Sequence, residues 1–405
     1  MVEIEAGPHL KEMKMDTVKK SNIIVLWAVF LSFLALGMPD GAFGVAWPSI
    51  RYEMDLALDR AFILVVSHSV FYAVSGSQMG KLASYFKLPN VNILGLGLIL
   101  IGITGFAASP NLYFLVISTM ILGTGMGLVD SALNAYAAKY FVSKHMNWLH
   151  CFWGLGGALS PVIMSQMVLL IGWRMGYVSI VVIQGILTLF VVFTVIKGMW
   201  LLNAQITTEK VANTSTGKFL TKNIYAYMQI AIFFIYAGFE YALTFWTTSV
   251  MLEGRGLPIE IAGLYPAFYL GGMTFGRFAL GYIADKVRNI TLVRFGFLLA
   301  GLGLIILIFT NNIIGMTMIG FGFGPVFPCL MHETAVRYSP KATTKLVGYQ
   351  IAAVGIGVGL STFGMGRVLD GFSLEALFPI VLIGMIIAVI INEIIEAAAR
   401  KEGIA

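Results

Sequence analysis

The chain has 405 residues, of which 58% are apolar and only 11% charged, less than half the charge of a soluble globular domain. That excludes a soluble enzyme or a water-soluble binding module and puts most of the chain in lipid. The formal net charge of +6 does not mark a nucleic-acid partner, because the basic residues follow a membrane topology.

Residues 1–21 are polar and of mixed charge and read as a cytoplasmic tail. The apolar run behind them is too long for a cleavable signal peptide. Apolar runs long enough to cross a bilayer predict an all-α integral membrane protein with twelve transmembrane helices, at 22–50, 60–86, 90–108, 111–141, 146–172, 175–202, 223–252, 257–287, 290–309, 312–338, 343–370 and 373–399. With the N-terminus inside, Lys and Arg fall 20 inside against 5 outside, the latter Arg51, Arg60, Arg174, Arg255 and Arg367. Basic residues collect on the cytoplasmic side, so both termini are assigned there, in the plasma membrane.

The polar stretch 203–222 reads as a cytoplasmic linker. It divides the spans into an N-terminal six-helix bundle, 22–202, and a C-terminal one, 223–399, with a tail at 400–405. "GKLASYF" from Gly80 is echoed by "GYIADKV" from Gly281. A similar offset carries Glu240 back to Asp40, and Asp130 forward to His332 and Glu333. Two pseudo-symmetric halves with the site between them is a known plan for secondary transporters.

In chain order, the first candidate is Asp40, the lone acid of helix 1, in "MPDG". Pro39 frees a carbonyl one turn back, so a break at 39–41 is expected. On helix 2, His68 and Tyr72 share a face. Asp130 is the lone acid of helix 4, with Asn134 one turn on. By position along their helices, Asp40 lies in the outer half of the membrane and Asp130 in the inner half. Helix 5 offers Asn147, His150 and Trp153. Helix 7 carries Glu240, again alone, with Tyr236 one turn before it. Helix 8 adds Tyr265, Tyr269 and Arg277, and helix 11 adds Gln350. Arg277, Asp285, Lys286, Arg288 and Glu333 read as inner-gate residues. A charge inside a span is costly and is a functional candidate by default. Loss of hydration favours the protonated acid, the property a proton carrier needs. Hydrogen-bonded packing is the plain alternative for each residue, and close helix packing is the alternative for the Gly-rich runs.

"GRFALGYIADKV", Gly276–Val287, resembles the loop signature of the major facilitator superfamily; in the first-half copy Ser84 stands where that family has Asp. Within it the chain is most similar to the fucose–proton symporter branch, through "MPDGAFGVAWP", "GLVDSALNAYAAKYF", "MNWLHCFWGLGGALSP", "YAGFEYALTFW" and "GFGFGPVFP". The branch has Glu where Asp130 stands. The resemblance implies a twelve-helix fold, alternating access, and proton coupling at Asp40 and Asp130.

The resulting expectation is a proton symporter importing a small neutral polar solute, a monosaccharide. The solute would meet Asn134, Asn147, His150, Trp153, Tyr236, Glu240, Tyr265, Tyr269, Gln350, His68 and Tyr72. A proton antiporter exporting drugs or metabolites is the alternative. A non-transporting receptor and a membrane enzyme fit less well. No phosphate loop, metal motif or nucleophile–base set is present, so no cofactor is expected and the coupling ion is H+. Cys151 and Cys329 read as buried thiols. The partners are the solute, the proton and the bilayer, and a monomer is expected.

Overall fold

The computed structural model describes residues 8–140, 143–200, 220, 223–281, 283 and 286–404, which are helical apart from short connections. Six helices precede the polar interruption: α1 (Pro8–Glu53), α2 (Ala61–Tyr85), α3 (Leu88–Ala108), α4 (Leu112–Tyr140), α5 (Ser143–Leu170) and α6 (Trp173–Ile196). After it come α7 (Asn223–Ser249), α8 (Leu264–Gly281), α9 (Asn289–Phe309), α10 (Ile314–Phe323), α11 (Val326–Arg337), α12 (Pro340–Gly371) and α13 (Leu377–Lys401). A helix satisfies its backbone groups internally, which is why apolar runs of this length become helices in lipid.

Among the described residues eleven stretches, not twelve, are long and apolar enough to cross a membrane. α10 and α11 together form one of them, Ile314–Thr334. The expected eighth span is the exception. A one-turn helix at Ile259–Ala262 takes up its start. That leaves α8 with 18 residues.

α1 packs on α5 and α6, α4 on α2 and α3, and α3 on α6. In the same pattern α7 packs on α12 and α13, α10 on α8 and α9, and α9 on α13. The two sets meet chiefly through α1 with α7, α2 with α12, and α5 with α8.

The break expected at 39–41 does not occur: α1 runs through Pro39 and Pro48. α5 presses on this stretch so closely that a Cβ at Gly37 would collide with the Trp153 carbonyl, and one at Gly41 with the Gly157 carbonyl. That packing supports α1 as a continuous helix where Pro39 removes a backbone bond. Helix 10 breaks instead, at Gly324–Pro325, between α10 and α11.

The end of the bundle away from the chain termini, the distal end, is tied by ion pairs. Arg51 pairs with Glu253, and Arg367 meets Asp59 at 3.2 Å; both pairs join the two helix sets. Arg174 pairs with Glu53, which also accepts the Trp173 indole N–H at 2.6 Å. Arg255 meets Glu375 at 2.7 Å. At the terminal end Arg337, 1% exposed, reaches Glu396 at 3.1 Å and Glu333 at 3.4 Å.

Candidate functional site

The polar groups inside the apolar bundle form two neighbouring clusters. In the first, Tyr72 on α2 donates its hydroxyl to Asp130 Oδ2 at 2.7 Å. Asn134, one turn along α4, donates to Asp130 Oδ1 at 2.9 Å and to the Asp130 carbonyl at 3.0 Å. Charge-assisted bonds of this kind hold an acid in one orientation. Gly123 and Gly127 permit the close α2–α4 contact that brings Tyr72 within reach: Cβ atoms there would strike the His68 and Tyr72 carbonyls.

Asp40 lies beside this cluster. It lies close to the Trp153 indole of α5 and to Asp130. Asp40, His68, Thr119, Phe43, Tyr177 and Tyr241 line part of a cavity of about 30 Å³. That volume admits water and not a solute of sugar size. His68 Nε2 is 3.2 Å from Met126 Sδ.

Asp40 shares a cavity with His68, and Asp130 accepts the hydroxyl of Tyr72, four residues further along α2.

The second cluster belongs to α7, α8 and the α10–α11 break. Pro328 has no N–H, so the Gly324 carbonyl one turn back has no helical partner. Arg277 Nε donates to that carbonyl at 3.3 Å. The Tyr236 hydroxyl donates to the neighbouring Phe323 carbonyl at 3.0 Å. Glu240 lies near Tyr236 and in the field of Arg277. Tyr269, fully buried, packs edge-on to Phe323 with ring centroids 6.5 Å apart. Its hydroxyl has no partner among the described residues.

Trp153 joins the clusters. It lies beside Asp40, and its ring faces the Arg277 guanidinium at 5.8 Å, within cation–π range. One side chain therefore stands between an acid of the first helix set and a cation of the second. Arg277, expected among the inner-gate residues, is placed beside Trp153 and the Gly324 carbonyl.

The other predicted residues divide by location. Tyr265 leaves the site: its hydroxyl donates to the Asn311 carbonyl at 2.5 Å, in the distal region of Arg255. Gln350 is also outside, donating to Thr334 at 2.9 Å in the buried network around Arg337. Glu333 belongs to that network, and Arg288 reaches Glu396 at 3.4 Å. Lys286 is exposed. His150 packs edge-on to Phe33 at 5.6 Å. Asp285 and the side chain of Asn147 lie outside the described residues. The carbonyl-binding roles of Tyr236 and Arg277 were missed from sequence, although the Gly-Pro-x-x-Pro spacing from Gly324 to Pro328 is their signal.

The sequence profile of the Major Facilitator Superfamily matches residues 25–362. A glucose/mannose transporter of Bacillus subtilis is 20% identical over 320 residues, 74% of this chain and 78% of that protein. A hexuronate transporter of the same organism is 22% identical over 287 residues, 67% of each chain. A methylenomycin A resistance protein, also from Bacillus subtilis, is 26% identical over 164 residues, 39% of this chain and 35% of that one. Among solved structures, a bacterial homologue of the human lysosomal transporter Spinster, inward-facing and occupied, aligns with a TM-score of 0.72. It is 14% identical and covers 93% of this chain and 97% of that one. A peptide transporter, POT, in complex with sulfate aligns with a TM-score of 0.68 at 13% identity, over 93% and 94% of the chains.

Proposed function

The chain belongs to the Major Facilitator Superfamily, and from there we propose that it is a proton-coupled symporter of the plasma membrane, importing a small polar solute of sugar type by alternating access. In this reading twelve spans form two six-helix bundles with both termini in the cytoplasm, and the terminal end of the molecule is the inner one. The repeated packing pattern of α1–α6 and α7–α13 supports the two bundles. Asp40 and Asp130 exchange the proton. The solute binds between the bundles, where Glu240 and Arg277 offer an acceptor and a set of donors beside the Trp153 ring. Adjacent hydroxyls can serve both groups, and the indole suits an apolar sugar face.

The observation that carries the reading is Trp153, set beside Asp40 on one side and facing Arg277 on the other. Such a link lets protonation on one bundle alter the site on the other. The relatives named for glucose/mannose and hexuronate transport support a sugar-type solute. The antibiotic-resistance relative favours a second reading, proton-coupled export.

Liposomes containing the purified protein are the test. Neutral sugars and hexuronates are added in turn while external pH is recorded. Symport requires alkalinisation with one of them and its loss in Asp40→Asn. Silence with all of them, together with ethidium efflux under an imposed proton gradient, would sink symport and establish export.

A further inference from the structure

α6 is among the most apolar helices of the chain, with a mean hydropathy of 2.6 over its best window, yet its buried face is polar. Tyr177, Gln184 and Thr188 fall on that face, with exposures of 3%, 0% and 8%. The Tyr177 hydroxyl, both polar atoms of the Gln184 amide and the Thr188 hydroxyl have no hydrogen-bond partner among the described residues. Asn92 Oδ1, on the facing helix α3, is likewise unpartnered and wholly buried. Buried polar atoms are bonded as a rule, and in a bilayer an unmet group costs several kcal/mol.

These groups form a line. Tyr177 packs against Phe106 of α3 with ring centroids 5.0 Å apart. α3 and α6 are packed antiparallel neighbours, so each step along one matches a step along the other. Gln184 then lies level with Ile99, Thr188 with Gly95, and Asn92 with Val191. Tyr177 and Gln184 are about 10 Å apart along the axis, and a helical side chain leans toward its helix N-terminus, here from Gln184 toward Tyr177. Tyr177 also lines the cavity that holds Asp40. At the other end the line reaches Thr194, which accepts the Trp200 indole N–H at 2.9 Å.

The second helix set contains an internal control. α13 packs on α9 and α7 as α6 packs on α3 and α1. A shift of 204 residues, Trp173 to Leu377, superposes most of their buried positions. Val381 then stands for Tyr177, Gly384 for Ile180 and Ala388 for Gln184; only Asn392, for Thr188, is polar. The fold does not need this many uncharged polar groups on the face: at the matched positions α13 keeps one, Asn392, whose Oδ1 is likewise unpartnered, against Tyr177, Gln184 and Thr188 on α6.

We infer that the α3–α6 seam holds a file of internal water, ligated by Tyr177, Gln184, Thr188 and Asn92, through which the proton on Asp40 passes to the terminal end separately from the solute. The inference rests on the proton-coupled reading only for the identity of what the file conducts. Radiolytic hydroxyl labelling of the full-length protein in H2-18O reads the water directly. Tyr177 is expected to take up label at a rate comparable to exposed Tyr52. Tyr236, as buried as Tyr177 but bonded to a carbonyl, stays unlabelled. Gln184→Leu lowers Tyr177 labelling by about tenfold, because an internal water needs two to four polar partners. Thr188→Val, which keeps the side-chain shape, does the same if the leucine variant does not fold. In liposomes with D-glucose as probe, either variant slows glucose-driven alkalinisation by about tenfold, in step with the loss of internal water. Glucose counterflow, which needs no net proton movement, is unchanged. An unlabelled Tyr177 overturns the file. Labelling without an effect on alkalinisation overturns its role in proton movement. Labelled Tyr177 in a protein that shows no alkalinisation with glucose leaves the file standing and counts against glucose symport alone.

Discussion

Replacing Glu396 by Leu is expected to destabilise the second helix set by about 3–5 kcal/mol, the cost of stranding one member of a buried ion pair. The partners are unequal, and the structure sets their order. Glu396, 2% exposed, meets three cations: Arg337 at 3.1 Å, Arg400 at 3.1 Å and Arg288 at 3.4 Å. Arg337, 1% exposed, has Glu333 at 3.4 Å as its other acid and the Gln229 amide oxygen at 3.2 Å. Losing Glu396 leaves a wholly buried guanidinium with one longer ion pair. Losing Arg337 leaves a carboxylate still served by two half-exposed arginines, so Arg337→Met falls at the lower end of the range, about 3 kcal/mol. The double variant removes both charges and costs less than the two single changes combined, because no ion is stranded. The assay is SDS titration of the detergent-solubilised protein followed by tryptophan fluorescence. Strictly additive losses, or a larger loss for Arg337→Met than for Glu396→Leu, would refute the reasoning.

Three further outcomes follow from the geometry. Arg51→Glu sets two acids against each other across the helix sets; spin-label distances at the distal end should lengthen or broaden, and adding Glu253→Arg should restore them. The energy involved is small, about 0–1 kcal/mol for a partly exposed pair, so the readout is a shift in population and not unfolding. Tyr72→Phe leaves Asp130 with Asn134 alone and is expected to cost about 1.5–3 kcal/mol, as for a hydrogen bond to a charged group, measured by the same SDS titration; a neutral result would mean that Tyr72 does not hold Asp130. Gly320→Ala drives a methyl into the Tyr269 carbonyl, and overpacking of this kind costs about 1–3 kcal/mol, read as a lower SDS midpoint or poorer recovery from membranes.

The lone acids were legible in the sequence because a single charge stands out in an apolar run. The helices were legible for the same reason in reverse. What the chain could not disclose is which groups meet across helices. Tyr265 and Tyr269 share a face, as one-turn spacing requires, but one turn separates a distal hydroxyl bound to Asn311 from a buried one beside Phe323. Arg277 was assigned by its neighbours in sequence, whereas its position is set by a carbonyl that Pro328 leaves free 47 residues away. Gln350 looked like a cavity residue because it is polar in a span, yet polar groups also tie helices together, as it does with Thr334. The polar face of α6 escaped notice because Tyr, Gln and Thr are uncharged and hydropathy averages conceal them.

Arg51 and Glu253 are 202 residues apart, close to the offset of 201 between the two "G…" echoes at Gly80 and Gly281. They therefore occupy equivalent places in the two halves and meet where a twofold axis would pass. At such a place a symmetric dimer brings each residue against its own copy. Two identical six-helix units would have set arginine against arginine, or glutamate against glutamate. The attraction at this junction exists only because the two copies differ, so a fused chain can hold this end shut in a way that an unfused homodimer of either half could not.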